Sequence, residues 1–138
     1  MSQISFTFYG IPVSKGRPKF CVRGGHAIAY TPKVTREAED DFCTQALRFR
    51  PKEIIAEAIK LHIWVFKPTP KSFSKKKAGL AEEQKIVPIT RPDFDNYAKL
   101  VCDSLNGIFW KDDAQIVDCR ISKRYSKTPK VTVELEAK

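Results

Sequence analysis

Apolar positions alternate at both ends of the chain and in its middle, and two helical periods lie between. Ile4, Phe6 and Phe8 alternate with Ser5, Thr7 and Tyr9, the period of a half-buried strand, and Gly10-Ile11-Pro12 stops it. Val13 to Gly25, rich in Lys, Arg, Gly and Pro, reads as an exposed loop, with a short strand at Ala27 to Tyr30 after it. Thr31-Pro32 then predicts a helix start, with Thr31 as N-cap and Pro32 at the first helical position. Val34, Ala38, Phe42, Ala46 and Phe49 share one face of that helix, which ends near Arg50-Pro51. Ala58 to Phe66 is β-branched and aromatic and alternates at Ile59, Leu61, Ile63 and Val65, which predicts a central strand. Residues 67–90 form a long connection, and connections of that length are usually functional or mobile. Its lysine-rich first half suits a flexible flap that grips phosphates, and a short helix fits Lys76 to Gln84.

Asp95 is placed to cap a helix from Asn96 to Asn106, with Gly107 at C′. Tyr97, Leu100, Val101 and Leu105 make its apolar face, and Asp95, Lys99 and Asp103 share the opposite stripe at i, i+4 and i+8. Ile108 to Trp110 reads as a short extended piece that Lys111-Asp112-Asp113 turns back. Gln115 to Tyr125 reads as a strand with Val117, Cys119 and Ile121 on one face, and Thr128-Pro129 separates it from a last strand alternating at Val131, Val133 and Leu135. There is no internal repeat and no clear linker. The order predicts one compact α+β domain over 1–138, with a mixed β-sheet and two main helices.

Composition agrees. A chain of 138 residues, 42% hydrophobic and 30% charged, can bury a core without disulfide or metal staples and is neither disordered nor membrane-like. The longest uncharged apolar stretch, Leu61 to Phe66, is interrupted by His62 and is far short of the ~20 residues a membrane span needs. The first residues lack the basic and apolar blocks of a secretory signal. Cys21, Cys43, Cys102 and Cys119 form no Cys-x-x-Cys pair, and His26 and His62 are far apart, so zinc-ligand spacing is absent. Four reduced thiols in a cytoplasmic protein are expected.

Charge changes the picture more. Lys plus Arg number 25 against 16 Asp plus Glu, a net +9, which points to an anionic partner, most often nucleic acid. The charges are segregated. Residues 1–36 carry Lys15, Arg17, Lys19, Arg23, Lys33 and Arg36 and no acid, and residues 67–77 carry Lys67, Lys71, Lys75, Lys76 and Lys77 and no acid. Six of the eight aspartates fall between Asp93 and Asp118.

That cluster carries the chemistry. Asp93 and Asp95 are two apart before a helix, and in an extended segment both carboxylates would face one point. Asp112 and Asp113 sit on a turn that could pack against the same helix. Converging carboxylates repel unless a cation joins them, and oxygen-only ligands favour Mg²⁺ or Mn²⁺. Taken singly, each aspartate could equally be a cap or turn residue. Lys99 is open to two readings, an i, i+4 ion pair with Asp95 or a charge on the scissile phosphate. Asp103 is either a partner of Lys99 or a direct ligand. Tyr97, Phe109 and Trp110 read as core.

The string Arg91-Pro92-Asp93-Phe94-Asp95-Asn96, with Lys99, Asp103 and Leu105-Asn106-Gly107, followed by Trp110-Lys111-Asp112-Asp113-Ala114-Gln115, resembles the RusA-type Holliday-junction resolvases. Gly10-x-Pro12, Ser14-Lys15-Gly16-Arg17-Pro18 and Tyr30-Thr31-Pro32 are similar to that family as well, whose members are commonly phage- or prophage-encoded. The resemblance implies a symmetric homodimer that nicks four-way DNA junctions with Mg²⁺, Mn²⁺ substituting, in recombination and repair. Its catalytic aspartates would fall on Asp93, Asp95 and Asp113, which would also hold the metal, and its essential lysine on Lys99. Asp112 and Asp103 are further metal-ligand candidates. Lys15, Arg17, Lys19, Arg23, Lys71, Lys75, Lys76, Lys77 and Arg91 are the candidate DNA contacts. Two other readings compete: a nuclease for flaps or forks, and a non-catalytic DNA-binding protein with structural aspartates.

Overall fold

The structure is a computed structural model that describes residues 3–15, 19–30 and 32–138; the side chains of residues 19–21, 23 and 30 are also outside the description. Thr31, Arg17 and the side chains of Lys19 and Arg23 lie outside the described residues, and the first long helix has Pro32 itself at the N-cap and starts at Lys33, one residue later than expected. Among the described residues no helix is long and apolar enough to cross a membrane.

The chain runs β1 (Gln3–Tyr9), β2 (Lys19–Arg23), β3 (His26–Tyr30), α1 (Lys33–Ala46), β4 (Ile59–Pro68), α2 (Lys75–Glu82), α3 (Phe94–Leu105), β5 (Ile116–Ser126) and β6 (Lys130–Ala137). The main sheet has the order β1-β6-β4-β5. β6 pairs antiparallel with both β1 and β4, and β5 pairs parallel with β4. The sheet is therefore mixed, and β4 is internal, as its near-continuous apolar content predicts. Ile59, Leu61, Ile63 and Val65 of β4 and Val133 and Leu135 of β6 are almost fully buried under α1 and α3, together with Phe42, Leu105, Phe109 and Trp110. Each such side chain removed from water contributes about 1.5–3 kcal/mol, and this layer is what holds the helices on the sheet. The opposite face, which includes Lys60, His62, Trp64 and Phe66 of β4 and Arg120, Ser122 and Arg124 of β5, contains no buried residue among these seven.

Several expectations are corrected. The supposed loop over Val13 to Gly25 contains β2, which pairs with β3 as a two-stranded hairpin. Arg23 faces His26 across Gly24-Gly25, which adopt φ +57° and +79°. Two glycines at positive φ make the tight turn whose twist suits a hairpin. In α1, Phe42 and Ala46 of the predicted stripe are buried, but Val34 is exposed and Thr35 takes its place in the first turn. In β5, the register slips between Ile59 and Lys60 of β4, which pair with Ile116 and Asp118. Val117 is the extra residue of this irregularity and is exposed, so Ile116, rather than Val117, shares a face with Cys119 and Ile121. The long connection carries α2 in its middle, where the sequence predicts a short helix. Ser74 caps α2 by accepting a hydrogen bond from the Lys77 N–H at 3.1 Å.

Candidate active site

α3 carries most of the site. Its inner face buries Tyr97, Leu100, Val101 and Leu105, which leaves Asp95, Lys99 and part of Asp103 facing outward. The helix starts at Phe94, with Asp93 as N-cap, two residues before the predicted start. Both residues are good cap types, and the sequence does not choose between them. Asp93 has extended backbone, and its carboxylate makes no capping hydrogen bond to the helix. Asp95 sits in the first turn, where the helix dipole favours a negative charge. The two carboxylates are thus offset along a helix start rather than aligned along a strand. At the other end Gly107, at φ +80°, lets the chain turn out of the helix, and its N–H donates to the Trp110 carbonyl at 2.7 Å.

That turn delivers Asp113. The side chain of Trp110 is fully buried, and its indole Nε1–H donates to Asp113 Oδ1 at 2.8 Å. A core aromatic therefore also orients a site carboxylate, a role that a reading of Trp110 as core alone misses. Its neighbour Asp112 is used differently, accepting the Ala114 N–H at 2.9 Å and so building the turn. Gln115 clasps this turn: its Oε1 accepts from the backbone N–H of Lys111 and Asp112, and its Nε2 donates to the carbonyls of Ile55 and Glu57.

Asp95, Lys99 and Asp113 line one groove of about 410 Å³ with Phe94, Ala98, Cys102, Ile116, Cys119 and Ile121. Asp93, the N-cap, is exposed and is not among the residues that line this groove. Among the described residues, no three acidic, His or Cys side chains close into a ligand cage. What the groove offers is oxygen donors on an open, water-accessible surface, the donor type a hard divalent cation takes.

Lys99 does not pair with Asp95. Its ammonium meets Asp103 Oδ1 at 3.1 Å, while Lys15 meets Asp103 Oδ2 at 3.1 Å and Glu39 Oε1 at 2.5 Å. The hydrogen bond to Asp103 holds the Lys99 pKa above its usual value. For Lys15, burial works downward, but the bonds to Glu39 and Asp103 outweigh it and the net shift is upward. Burial, above all, pushes the Cys102 thiol up to about 12, with the charge of Asp113 adding to it, so this groove cysteine stays protonated at neutral pH.

Two further lysines fix the segment leading into the site. Lys67 Nζ donates to the Arg91 carbonyl at 2.9 Å, and Lys123 Nζ donates to the Thr90 carbonyl at 2.6 Å. Burial, and then the neighbouring Lys123 charge, lower the Lys67 pKa. Neither role is visible in the sequence, because the partners are backbone carbonyls more than 20 residues away. Lys71, Lys75, Lys76, Lys77 and Arg91 are exposed. Lys75, Lys76 and Lys77 fall in the first turn of α2, where the helix dipole disfavours cations.

Residues 10–136 match the family Endodeoxyribonuclease RusA. The chain belongs to the RusA family. It is accordingly an endodeoxyribonuclease, a hydrolase acting on DNA, of a family that resolves Holliday junctions and generally depends on a divalent metal. This RusA-family chain is also 41% identical over 135 residues to "Uncharacterized protein YqaN" of Bacillus subtilis (strain 168), a match covering 96% of this chain and 95% of the relative.

Proposed function

We propose that this chain is a cytoplasmic, Mg²⁺-dependent four-way-junction resolvase that acts as one domain over 1–138, as a symmetric homodimer, in recombination and repair. The observation that carries the reading is the groove shared by Asp95, Lys99 and Asp113, with Asp113 oriented by a buried indole in a chain of net charge +9. A protein that only binds DNA gains nothing from acids held at its surface, because each repels phosphate.

Asp93, Asp95 and Asp113 are the residues that would hold Mg²⁺, with Mn²⁺ able to substitute. Bound there, the metal would activate water and neutralise charge building on the phosphate. Asp112 is left out of that set because its carboxylate builds the turn. Lys99, 59% exposed at its side chain, is placed to hold a non-bridging phosphate oxygen. Lys71, Lys75, Lys76, Lys77 and Arg91, with Arg17, Lys19 and Arg23, would grip the junction arms through phosphates, which carry no sequence information. Lys15 is not in that set, since its ammonium is taken by two carboxylates. Resolving a junction requires two matched nicks, and two sites related by a two-fold axis supply them.

The test is a supercoiled plasmid carrying an extruded cruciform. Paired nicks across the junction linearise it in Mg²⁺. Accumulation of nicked circles alone would contradict coupled cleavage, and cutting of flaps or forks in preference to the cruciform would favour the other branched-DNA reading.

A further inference from the structure

Asp103 lies one helical turn beyond Lys99, and its two oxygens have different partners: Lys99 on Oδ1 and Lys15 on Oδ2, each at 3.1 Å. Lys15 is bound in turn by Glu39 of α1, and its backbone N–H donates to the Asn96 carbonyl of α3 at 2.9 Å. Three segments of the chain thus meet in a chain of alternating charge, Glu39, Lys15, Asp103, Lys99, whose formal sum is zero. We propose that Asp103 is the positioning residue of the nuclease site: it holds the Lys99 ammonium at the edge of the groove, and the Lys15–Glu39 pair holds Asp103. This rests on the nuclease reading above and adds to it a role for three residues outside the metal set.

The chemistry follows from what Lys99 would otherwise do. Asp95 and Asp113 line the same groove as Lys99, and an unrestrained lysine would pair with either of them. Such a pairing would neutralise the carboxylates meant for a cation. Asp103 takes one of the three ammonium protons and leaves two for a phosphate oxygen. Asp103 is itself poorly suited to ligate the cation. Both oxygens are engaged, and the ammonium of Lys15, whose side chain is only 20% exposed, would remain beside any cation bound there. A Lys-to-Asp pair at i, i+4 is the weaker orientation on a helix, so the pairing needs the third partner that Lys15 provides.

The experiment compares wild type with Asp103→Asn, Asp103→Glu, Lys15→Met, Lys99→Ala and the Asp103→Asn/Lys99→Ala double variant, each with a melting curve. Nicking is measured on a synthetic four-way junction, and Mn²⁺ affinity by titration without DNA. Asp103→Asn should lower kcat roughly 10–100-fold while KM for the junction and Mn²⁺ affinity stay within about two-fold. Asp103→Glu should recover part of the rate, and Lys15→Met should show a smaller loss of the same kind. On the Lys99→Ala background, Asp103→Asn should cost nothing more, which a merely structural residue would not show. In parallel, lysine Nζ NMR should show the Lys15 ammonium, held by Glu39 and Asp103, protected from exchange, and the Nζ signals of both Lys15 and Lys99 should shift in Asp103→Asn. A ten-fold or greater loss of Mn²⁺ affinity in Asp103→Asn would make Asp103 a ligand and overturn the proposal, as would a wild-type kcat or full additivity with Lys99→Ala. If the wild type itself nicks no junction, the nuclease reading fails, even where the NMR signals show the ion-pair chain intact.

Discussion

Replacing Asp113 with asparagine separates catalysis from folding at one atom. The Asp113 carboxylate accepts the Trp110 indole N–H at 2.8 Å, and the carbonyl oxygen of asparagine can accept the same bond. Hydrogen bonds to charged groups contribute about 1.5–3 kcal/mol and neutral ones about 0.5–1.5, so the exchange should cost roughly 1 kcal/mol. For a chain of this length that lowers Tm by about 3–5 °C. Asp113 is also partly solvent-exposed, so no buried charge is stranded. Nicking should instead fall by ~10²–10³-fold or more, because an amide is a poor ligand for a hard cation and the groove loses one of its two lining acids. Junction binding should hold or tighten, since a negative charge facing phosphate is removed. The assay pairs a melting curve with single-turnover nicking of a labelled junction. A folded Asp113→Asn protein that nicks at the wild-type rate would refute the assignment of Asp113, and a loss of activity that only tracks unfolding would make it a structural residue.

Three other outcomes follow from the structure. Lys75→Ala/Lys76→Ala/Lys77→Ala should weaken duplex-arm binding and flatten log affinity against log salt by up to roughly 2.7, about 0.9 for each phosphate no longer neutralised; an unchanged slope would leave the run as a solvated face. His62 stacks on Trp64 with ring centroids 3.4 Å apart, and burial first, then Arg120, lower its pKa below 6.5. A lowered histidine pKa means that the unfolded chain takes up the proton first, so this stability is complete above pH 6.5 and is lost as pH falls below it. Tm should therefore fall less on acidification in His62→Phe than in the wild type, and parallel curves would contradict this. Light scattering at micromolar concentration should give twice the chain mass of 15.7 kDa, and a species of 15.7 kDa alone, with and without DNA, would contradict the dimer.

The sequence reveals the large features because their signals are periodic. The apolar stretch at Ile59 to Val65, the alternation at Val131 to Leu135 and the inner face of α3 each have one physical solution, and the structure adopts it. The errors fall where two local solutions are close in energy. Asp93 and Asp95 are both competent caps, and the helix takes the first. Gly24-Gly25 is a turn signal, but the basic residues before it suggest solvent rather than a strand. The irregularity at Val117 depends on pairing with a strand more than 50 residues earlier, which no local pattern carries. The same distinction holds at the site. Residue types and spacing suggest Asp93, Asp95, Lys99 and Asp113 as a group, and the fold gathers the last three in one groove while Asp93 stays outside its lining. Spacing alone leaves Asp95 and Asp103 both open as partners of Lys99. The actual partner, Asp103, is chosen together with Lys15, which reaches it from across the fold. The basic count likewise suggests Lys15 as a phosphate contact and cannot show the two carboxylates that already hold it.

Metal-dependent cleavage specific for four-way junctions is decided by one set of reactions. The protein is incubated with an end-labelled synthetic four-way junction and with matched duplex, flap and fork controls, in Mg²⁺ and in EDTA. The junction-resolvase reading predicts two nicks, symmetric across the junction, in Mg²⁺ only, with duplex left intact. Cleavage of duplex at a comparable rate, cleavage in EDTA, or no cleavage of the junction by folded protein would contradict it.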